Sequence, residues 1–510
     1  MQRDTNRAGA GLPDIIIFNP DQWRGDVLGH VGNAAAVTPA IDRVAAEDGV
    51  SFSRAFCQNP VCTPSRCSFM SGWYPHVRGH RTMHHMLHPE WNEPNLLRIL
   101  KQHGYFVWWG GKNDLVPGGA DLSPYCDVKF EPTDEDYRRW GCAPREGTHA
   151  GDLAWRGDPD GDNFFSFFKG RLERGGDPFY CDRDWANVLG AIDFVRGYRG
   201  EQPLCIYLPL GYPHPPYCVE EPWYGVTDRA ALPPRIPAPD DDTGKPSLLG
   251  GIRRGQRLQG WSEERWTELR ATYYGMCARV DHQFGLLCDT LRECRRYDDA
   301  AIFLFSDHGD FTGDYGLVEK TQNTFEDCLT RVPLVVKPPA GVSVTPRVSD
   351  ALVELVDFSA TVYELTGIDP GYDHFGHSLL PLLSGEGHGG GRDAVFCEGG
   401  RRLGEVQASE LESTSAGGSS LGLYAPRIRL QVQLDEPYHS KAAMCRTATH
   451  KYVQRLYESD ELYDLALDPG ERRNVIGDPA YRDVLAELRL RMLRWYQETC
   501  DVVPRVTDRR

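Results

Sequence analysis

Ala301-Ile302-Phe303-Leu304-Phe305-Ser306-Asp307-His308-Gly309 is the stretch that decides the fold: an unbroken apolar run cut off by a polar turn that ends in glycine. A short run with no polar alternation reads as a strand buried on both faces, which is what a parallel sheet covered by helices requires. Similar runs stand at Ile15 to Phe18, Tyr105 to Trp109, Leu204 to Leu210 and Val332 to Val336. Between and around them lie Pro39 to Glu47, Asn95 to His103, Trp185 to Arg196, Glu263 to Thr290 and Val353 to Leu365, with apolar residues at helical three- and four-residue spacing. Alternation of this kind predicts an α/β fold, a large mostly parallel sheet flanked by helices.

A chain of 510 residues exceeds the size at which a single core stops growing. The Gly-rich stretch Gly385 to Arg392 is followed by short strands, predicted at Arg427 to Gln433 and Tyr452 to Leu456, and by a helix from about Ala480 to Thr499. We therefore divide the chain into a catalytic α/β part, 1–385, and a smaller C-terminal α+β domain, 386–510. Pro233 to Gly260, rich in Pro, Asp, Gly and Arg and without periodicity, reads as a long surface excursion. No internal repeat is evident.

The formal charge of -17 excludes a general nucleic-acid or anionic-membrane binder, so an anionic substrate would need a local cationic site. Met1 to Pro13 is polar and carries no apolar targeting segment, which places the chain in the cytoplasm. Fifteen cysteines without a C-x-x-C pair read as free, mostly buried thiols. Composition does not fix the oligomeric state, and a homo-oligomer is compatible with it.

In open α/β sheets ligands bind beyond the carboxyl ends of the strands, so the polar residues after each apolar run carry the information. Asp21 and Gln22 follow the first run, Lys112 the second, His214 the third, and Asp307 and His308 the fourth. Singly, each is more often a turn or helix cap. Together they describe a metal-plus-anion rim. Oxygen ligands suit Ca²⁺, Mg²⁺ or Mn²⁺, and an imidazole tilts the choice toward Mn²⁺ or another transition ion.

Cys62-Thr63-Pro64-Ser65-Arg66 precedes Gly72 and Pro75. Pro64 suits a first helical turn and Gly72 a helix stop, so Cys62 is placed at a helix N-terminus, where a thiol pKa falls and Arg66, one turn on, stabilises an anion. Cys67 is expected to face the core.

This motif resembles the signature of the formylglycine-dependent sulfatases of the alkaline phosphatase superfamily, in which the cysteine is oxidised after translation. The resemblance extends through Asp21-Gln22, Gly110-Gly111-Lys112, Pro213-His214-Pro215-Pro216, Ser306-Asp307-His308-Gly309, Lys320, Arg331-Val332-Pro333-Leu334 and Glu461-Leu462-Tyr463-Asp464-Leu465. It implies an alkaline-phosphatase-like fold and one divalent cation, Ca²⁺ or Mn²⁺, held by Asp21, Gln22, Asp307, His308 and the formylglycine made from Cys62. It further implies that Arg66 holds the formylglycine hydrate, that Lys112, His214 and Lys320 contact sulfate, and that a formylglycine-generating enzyme is a maturation partner. A hydroxyl of the hydrated aldehyde would attack sulfur, and the second would allow sulfate release.

Three positions depart from the family pattern. Gln22 and His308 replace the commoner Asp and Asn and resemble the branch containing phosphonate monoester hydrolases and iduronate- or choline-type sulfatases. Asp114 stands where histidine is common after Gly-Lys; it would repel an anion unless it pairs with Lys112 or meets a cationic group of the substrate. His76, His80, His84, His85 and His88 cluster after the motif, and His84 and His85 are the candidates for a substrate subsite. The expected substrate is a small-molecule or saccharide sulfate ester. The rivals are a phosphonate monoester or phosphodiester hydrolase and a non-catalytic binding protein on the same fold.

Overall fold

The computed structural model describes residues 11–145, 154–239, 244–385, 391–408, 421–431, 433, 436–507 and 509. Its strands are β1 (Asp14–Asn19), β2 (Val50–Phe56), β3 (Phe106–Gly110), β4 (Val128–Phe130), β5 (Phe168–Leu172), β6 (Leu204–Pro209), β7 (Tyr217–Glu220), β8 (Ala300–Phe305), β9 (Arg331–Val332), β10 (Leu334–Lys337), β11 (Arg347–Glu354), β12 (Val395–Gly399), β13 (Ala442–Arg446), β14 (His450–Arg455) and β15 (Glu461–Asp464). Its helices are α1 (Pro39–Glu47), α2 (Cys62–Ser71), α3 (Leu96–Gln102), α4 (Asp134–Arg139), α5 (Arg183–Gly197), α6 (Ser247–Gln256), α7 (Glu263–Glu293), α8 (Asp327–Thr330), α9 (Asp357–Thr366), α10 (Leu380–Leu383), α11 (Ala425–Gln431) and α12 (Arg482–Thr499).

The main sheet runs β11-β2-β10-β8-β1-β6-β3-β4, with β9 paired to β2. β8, β1, β6 and β3 are parallel neighbours, so their carboxyl ends open on one rim. The opening stretch shows why every residue of such a strand is apolar. Ala301, Phe303 and Phe305 enter one core with side chains of α2, α3 and α9, while Ile302 and Leu304 enter the other with α1, α5 and α7. Phe69 of α2 meets Phe305 edge to face at 4.9 Å, which ties the helix that begins at Cys62 to the strand that ends just before Ser306 and Asp307. Burying one such ring is worth about 1.5–3 kcal/mol and an aromatic pair about 0.5–1.5 kcal/mol more.

The α/β class is what the apolar runs predict, and the C-terminal antiparallel sheet β12-β13-β14-β15 is the smaller α+β part. Several local expectations are corrected. Arg427–Gln433 is not a strand: Arg427 to Gln431 lie in α11, which packs on α6 where Gly251 faces Leu430 and Gly255 faces Pro426. That packing overrides a period-two pattern. The supposed excursion at 233–260 contains α6, whose Leu248, Leu249 and Ile252 are buried beside Phe311, Tyr315 and Leu329. Val353 and Glu354 end β11 rather than starting a helix, which begins at Asp357. Val332–Val336 is broken at Pro333, and β10 lies antiparallel to both β8 and β2. β2 and β11, with polar residues along their length, escaped the search for apolar runs. Residues 386–390 of the Gly-rich stretch lie outside the described residues.

All fifteen cysteines are free, and Cys67 is buried in the core as expected. Trp108 and Trp109 are core residues of β3. No helix among the described residues is long and apolar enough to cross a membrane.

Candidate active site

The rim at the carboxyl ends of β1, β3, β6 and β8 gathers the polar residues that come after those strands. α2 points its N-terminus at this rim: Val61 is extended, Cys62 opens the helix, and Gly72 stops it in the left-handed region at φ 71. Cys62 Sγ lies 3.2 Å from His308 Nε2 and 3.5 Å from Asp21 Oδ1. His308 Nδ1 is 2.9 Å from the Gly309 carbonyl oxygen; it carries the hydrogen there and leaves Nε2 as the lone-pair nitrogen. Donor atoms of Asp21, Cys62, Asp307 and His308 all lie within 4.8 Å of one another, and all four residues are buried.

Cations surround these acids. Arg66 donates from Nε to Asp307 Oδ2 at 2.9 Å and from Nη2 to Asp21 Oδ2 at 3.0 Å, while its buried Nη1 has no hydrogen-bond partner among the described residues. Lys112 Nζ lies 2.8 Å from Asp21 Oδ2. Burial alone would raise the Asp21 carboxyl, but the Lys112 and Arg66 cations hold it well below the usual carboxylate range. Lys320 Nζ donates to Gln22 Oε1 at 2.7 Å and to His214 Nε2 at 2.9 Å. Gln22 also gives its amide N–H to Asp310 Oδ2 and has φ 70, a left-handed backbone rare outside glycine. Its backbone N–H is 3.1 Å from Asp307 Oδ1, so the two turns lock together.

One electrostatic expectation fails. The Cys62 thiol is not acidified by its helix terminus: burial first, and then the charge of Asp21, push it well up. A partial charge of about half a unit at a helix end does not offset a full carboxylate close by.

Asp114 lies 3.8 Å from Arg66 Nε and 3.9 Å from Lys112 Nζ, so it pairs with the cationic rim. His85 Nδ1 is bound to Thr82 Oγ1 at 2.7 Å and His84 is exposed; between Thr82 and these histidines, Met83 Sδ accepts from the Thr63 N–H at the start of α2. The other histidines of that cluster have structural partners: His76 holds Glu398 and Thr499, His80 holds Glu93, and His88 stacks on Trp91.

Three contributors went unread in the sequence. Glu319 lies 2.7 Å from Lys320 Nζ, and no sequence pattern signalled it. Tyr424 and Arg427 lie at and just before the segment expected to be a strand and reach His214 and Glu319.

Two carboxylates, an imidazole nitrogen and a sulfur position converging in a buried pocket form a donor set that fits a divalent cation. A mostly parallel sheet with such a cluster on the rim at its strands' carboxyl ends has the arrangement of a ligand site in an open α/β fold. The sulfatase family profile matches residues 13–368, and the chain belongs to the sulfatase family, a family of sulfuric ester hydrolases. Among relatives, it is 24% identical to the multifunctional alkaline phosphatase superfamily protein PehA of Trinickia caryophylli, over 94% of this chain and 95% of that protein. It is 25% identical to a Delta 4,5-hexuronate-2-O-sulfatase of Bacteroides thetaiotaomicron, over 94% of this chain and 87% of that one. In structure it resembles the phosphonate monoester hydrolase of Agrobacterium radiobacter with a TM-score of 0.73 at 22% identity, covering 97% of this chain and 100% of that one.

Proposed function

We propose that this chain hydrolyses a sulfate monoester of a carbohydrate, aryl or alkyl alcohol, with residue 62 in its formylglycine form and one divalent cation, Ca²⁺ or Mn²⁺. The observation that carries this reading is the convergence of Asp21, Cys62, Asp307 and His308 within 4.8 Å, ringed by Arg66, Lys112 and Lys320. Asp21, Gln22, Asp307, His308 and residue 62 would hold the cation, which would favour the deprotonated form of the hydrated aldehyde's hydroxyl, the oxygen nucleophile. Arg66 bridges the two carboxylates and has Nη1 to offer an oxyanion. Lys112, His214 and Lys320 line the side of the pocket that would take the sulfuryl oxygens and the leaving group, where a donor in water-poor surroundings is worth far more than in water. Asp114, His84 and His85 belong to the substrate side. A formylglycine-generating enzyme is the maturation partner.

We also retain the division into a catalytic part, 1–385, and a smaller domain, 386–510. Fifteen free cysteines favour a reducing compartment, the cytoplasm. The second reading, a phosphonate monoester or phosphodiester hydrolase, is favoured by the Gln22 and His308 pair and by the likeness to a phosphonate monoester hydrolase.

Peptide mass spectrometry of residue 62, alongside hydrolysis of an aryl sulfate and an aryl phosphonate, tests the proposal. A loss of about 18 Da, the change from thiol to aldehyde, with preferential sulfate cleavage is expected. Faster phosphonate cleavage transfers the assignment to the second reading, and an intact thiol with no sulfate cleavage sinks the first.

A further inference from the structure

Lys320 stands in a crowded place. The Lys320 ammonium gives hydrogen bonds to Gln22 Oε1 at 2.7 Å and His214 Nε2 at 2.9 Å, and Glu319 Oε1 stands 2.7 Å away as its ion-pair partner. Turning to a substrate anion costs it one of these contacts. Each released acceptor is buried, and a buried acceptor left unpaired is costly. The arm that lets go most easily is therefore the one whose acceptor has another donor in reserve.

His214 has one. Its Nδ1 lies 2.6 Å from the Pro215 carbonyl oxygen and carries the ring hydrogen, so Nε2 is an acceptor. The Tyr424 hydroxyl stands 3.3 Å from that same nitrogen. Glu319 has a second partner too, Arg427 Nη1, 3.3 Å from Oε2. Arg427 in turn lies over the Tyr424 ring at 4.9 Å, and that ring meets Phe167 edge to face at 5.2 Å. Tyr424 and Arg427 sit at or just before the start of α11, outside residues 13–368, which the family profile matches.

We propose that this segment is a positioning element of the working site: Tyr424 is the reserve donor to His214 Nε2 that frees Lys320 to turn to the substrate anion, and Arg427 steadies Glu319 while it does so. This rests on the sulfatase reading for the identity of the anion. Tyr424 and Arg427 act through His214, Glu319 and Lys320 and need not touch substrate.

The test is calorimetric titration of the full chain, with divalent cation present, using inorganic sulfate, together with turnover of an aryl sulfate. Tyr424→Phe removes only the hydroxyl. It is expected to weaken sulfate binding and lower kcat by roughly tenfold each, the size of one lost buried hydrogen bond, at an unchanged Tm. Arg427→Ala is expected to weaken sulfate binding and turnover similarly and also to lower Tm, since buried Glu319 loses a partner, and Arg427→Lys, which keeps a cation beside Glu319, to recover part of both losses. A Tyr424→Phe protein that binds sulfate and turns over like the wild type overturns the proposal, as does Arg427→Lys behaving no better than Arg427→Ala. If the wild type binds sulfate but cleaves no sulfate ester, the sulfatase reading fails, yet the titration still decides this inference; a wild type that binds no sulfate overturns both.

Discussion

Lys112 is the residue at which the charge balance of the site is easiest to disturb without unfolding it. Its side chain is 28% exposed, whereas that of its partner Asp21 is wholly buried. Replacing it by alanine takes one cation from a pocket where Asp21, Asp307 and Asp114 share Arg66 and Lys112. Lys112→Ala is expected to lower kcat/KM on an aryl sulfate by a factor on the order of 10² to 10³, as loss of one preorganised donor does. Steady-state rates read this, and a loss below about threefold would remove Lys112 from the catalytic group. Lys112 was legible because parallel strands deliver the residues beyond their carboxyl ends to one rim, so Asp21, Lys112, His214 and Asp307 could be grouped with no knowledge of distances. The pairing of Lys320 with Glu319 was not legible. Adjacent residues in a strand or turn ordinarily point apart, and only the left-handed backbone of Glu319, φ 68, brings its carboxylate back to the neighbouring ammonium.

At the scale of elements, the end of β11, the start of α9 and the first strand of the C-terminal sheet meet in one buried knot. Glu354 accepts from the Tyr74 hydroxyl at 2.5 Å and from the Phe396 backbone N–H at 2.6 Å, and it shares Arg392 with Asp357. Burial, joined by the nearby charge of Asp357 and opposed by Arg392, pushes Glu354 up from 4.5 to about 7. A carboxyl raised on folding contributes fully below its unfolded pKa. As pH climbs from 4.5 to about 7 the unfolded chain ionises first, and stability is lost across that window, by on the order of 3 kcal/mol at most. Glu354→Gln cannot ionise. Melting curves at pH 5 and pH 8 should therefore show the wild type losing more Tm between the two than the variant does, and equal losses would contradict the raised carboxyl. The knot also shows why this end of β11 was misread: Val353-Glu354-Leu355-Val356 is as apolar as a helix start, and nothing local says that Glu354 is anchored by residues some forty positions away. α11 failed for a similar reason. Its period-two pattern is real, but Gly251 and Gly255 of α6 offer Leu430 and Pro426 a closer seat than a strand would have.

Across the whole molecule, the main sheet and the C-terminal sheet share no strand pairing, yet buried polar contacts tie them together. Lys451 of β14 is fully buried and is neutralised by Asp327 of α8 at 2.8 Å and by Glu471 at 2.7 Å. Arg446 of β13 reaches the same Asp327 at 2.8 Å, and Arg455 of β14 gives a hydrogen bond to the Asn323 carbonyl at 2.7 Å. In return, Asn59, three residues before Cys62, donates to the Glu398 carbonyl of β12 at 2.7 Å. Removing one side of a buried ion pair leaves the other charge uncompensated, at about 3–5 kcal/mol for a single pair, which is a large share of the roughly 5–15 kcal/mol typical of a folded domain. A fragment of residues 1–385 would keep the amide of Asn59, the carbonyl of Asn323 and the charge of Asp327 but lose the groups that satisfy them, along with Tyr424 and Arg427 at the site. It is therefore expected to lack a cooperative melting transition and all sulfate turnover, while the full chain unfolds in one step in calorimetry. A fragment that melts cooperatively near the Tm of the full chain would mean that these cross-links are incidental, and that the catalytic part carries its own stability.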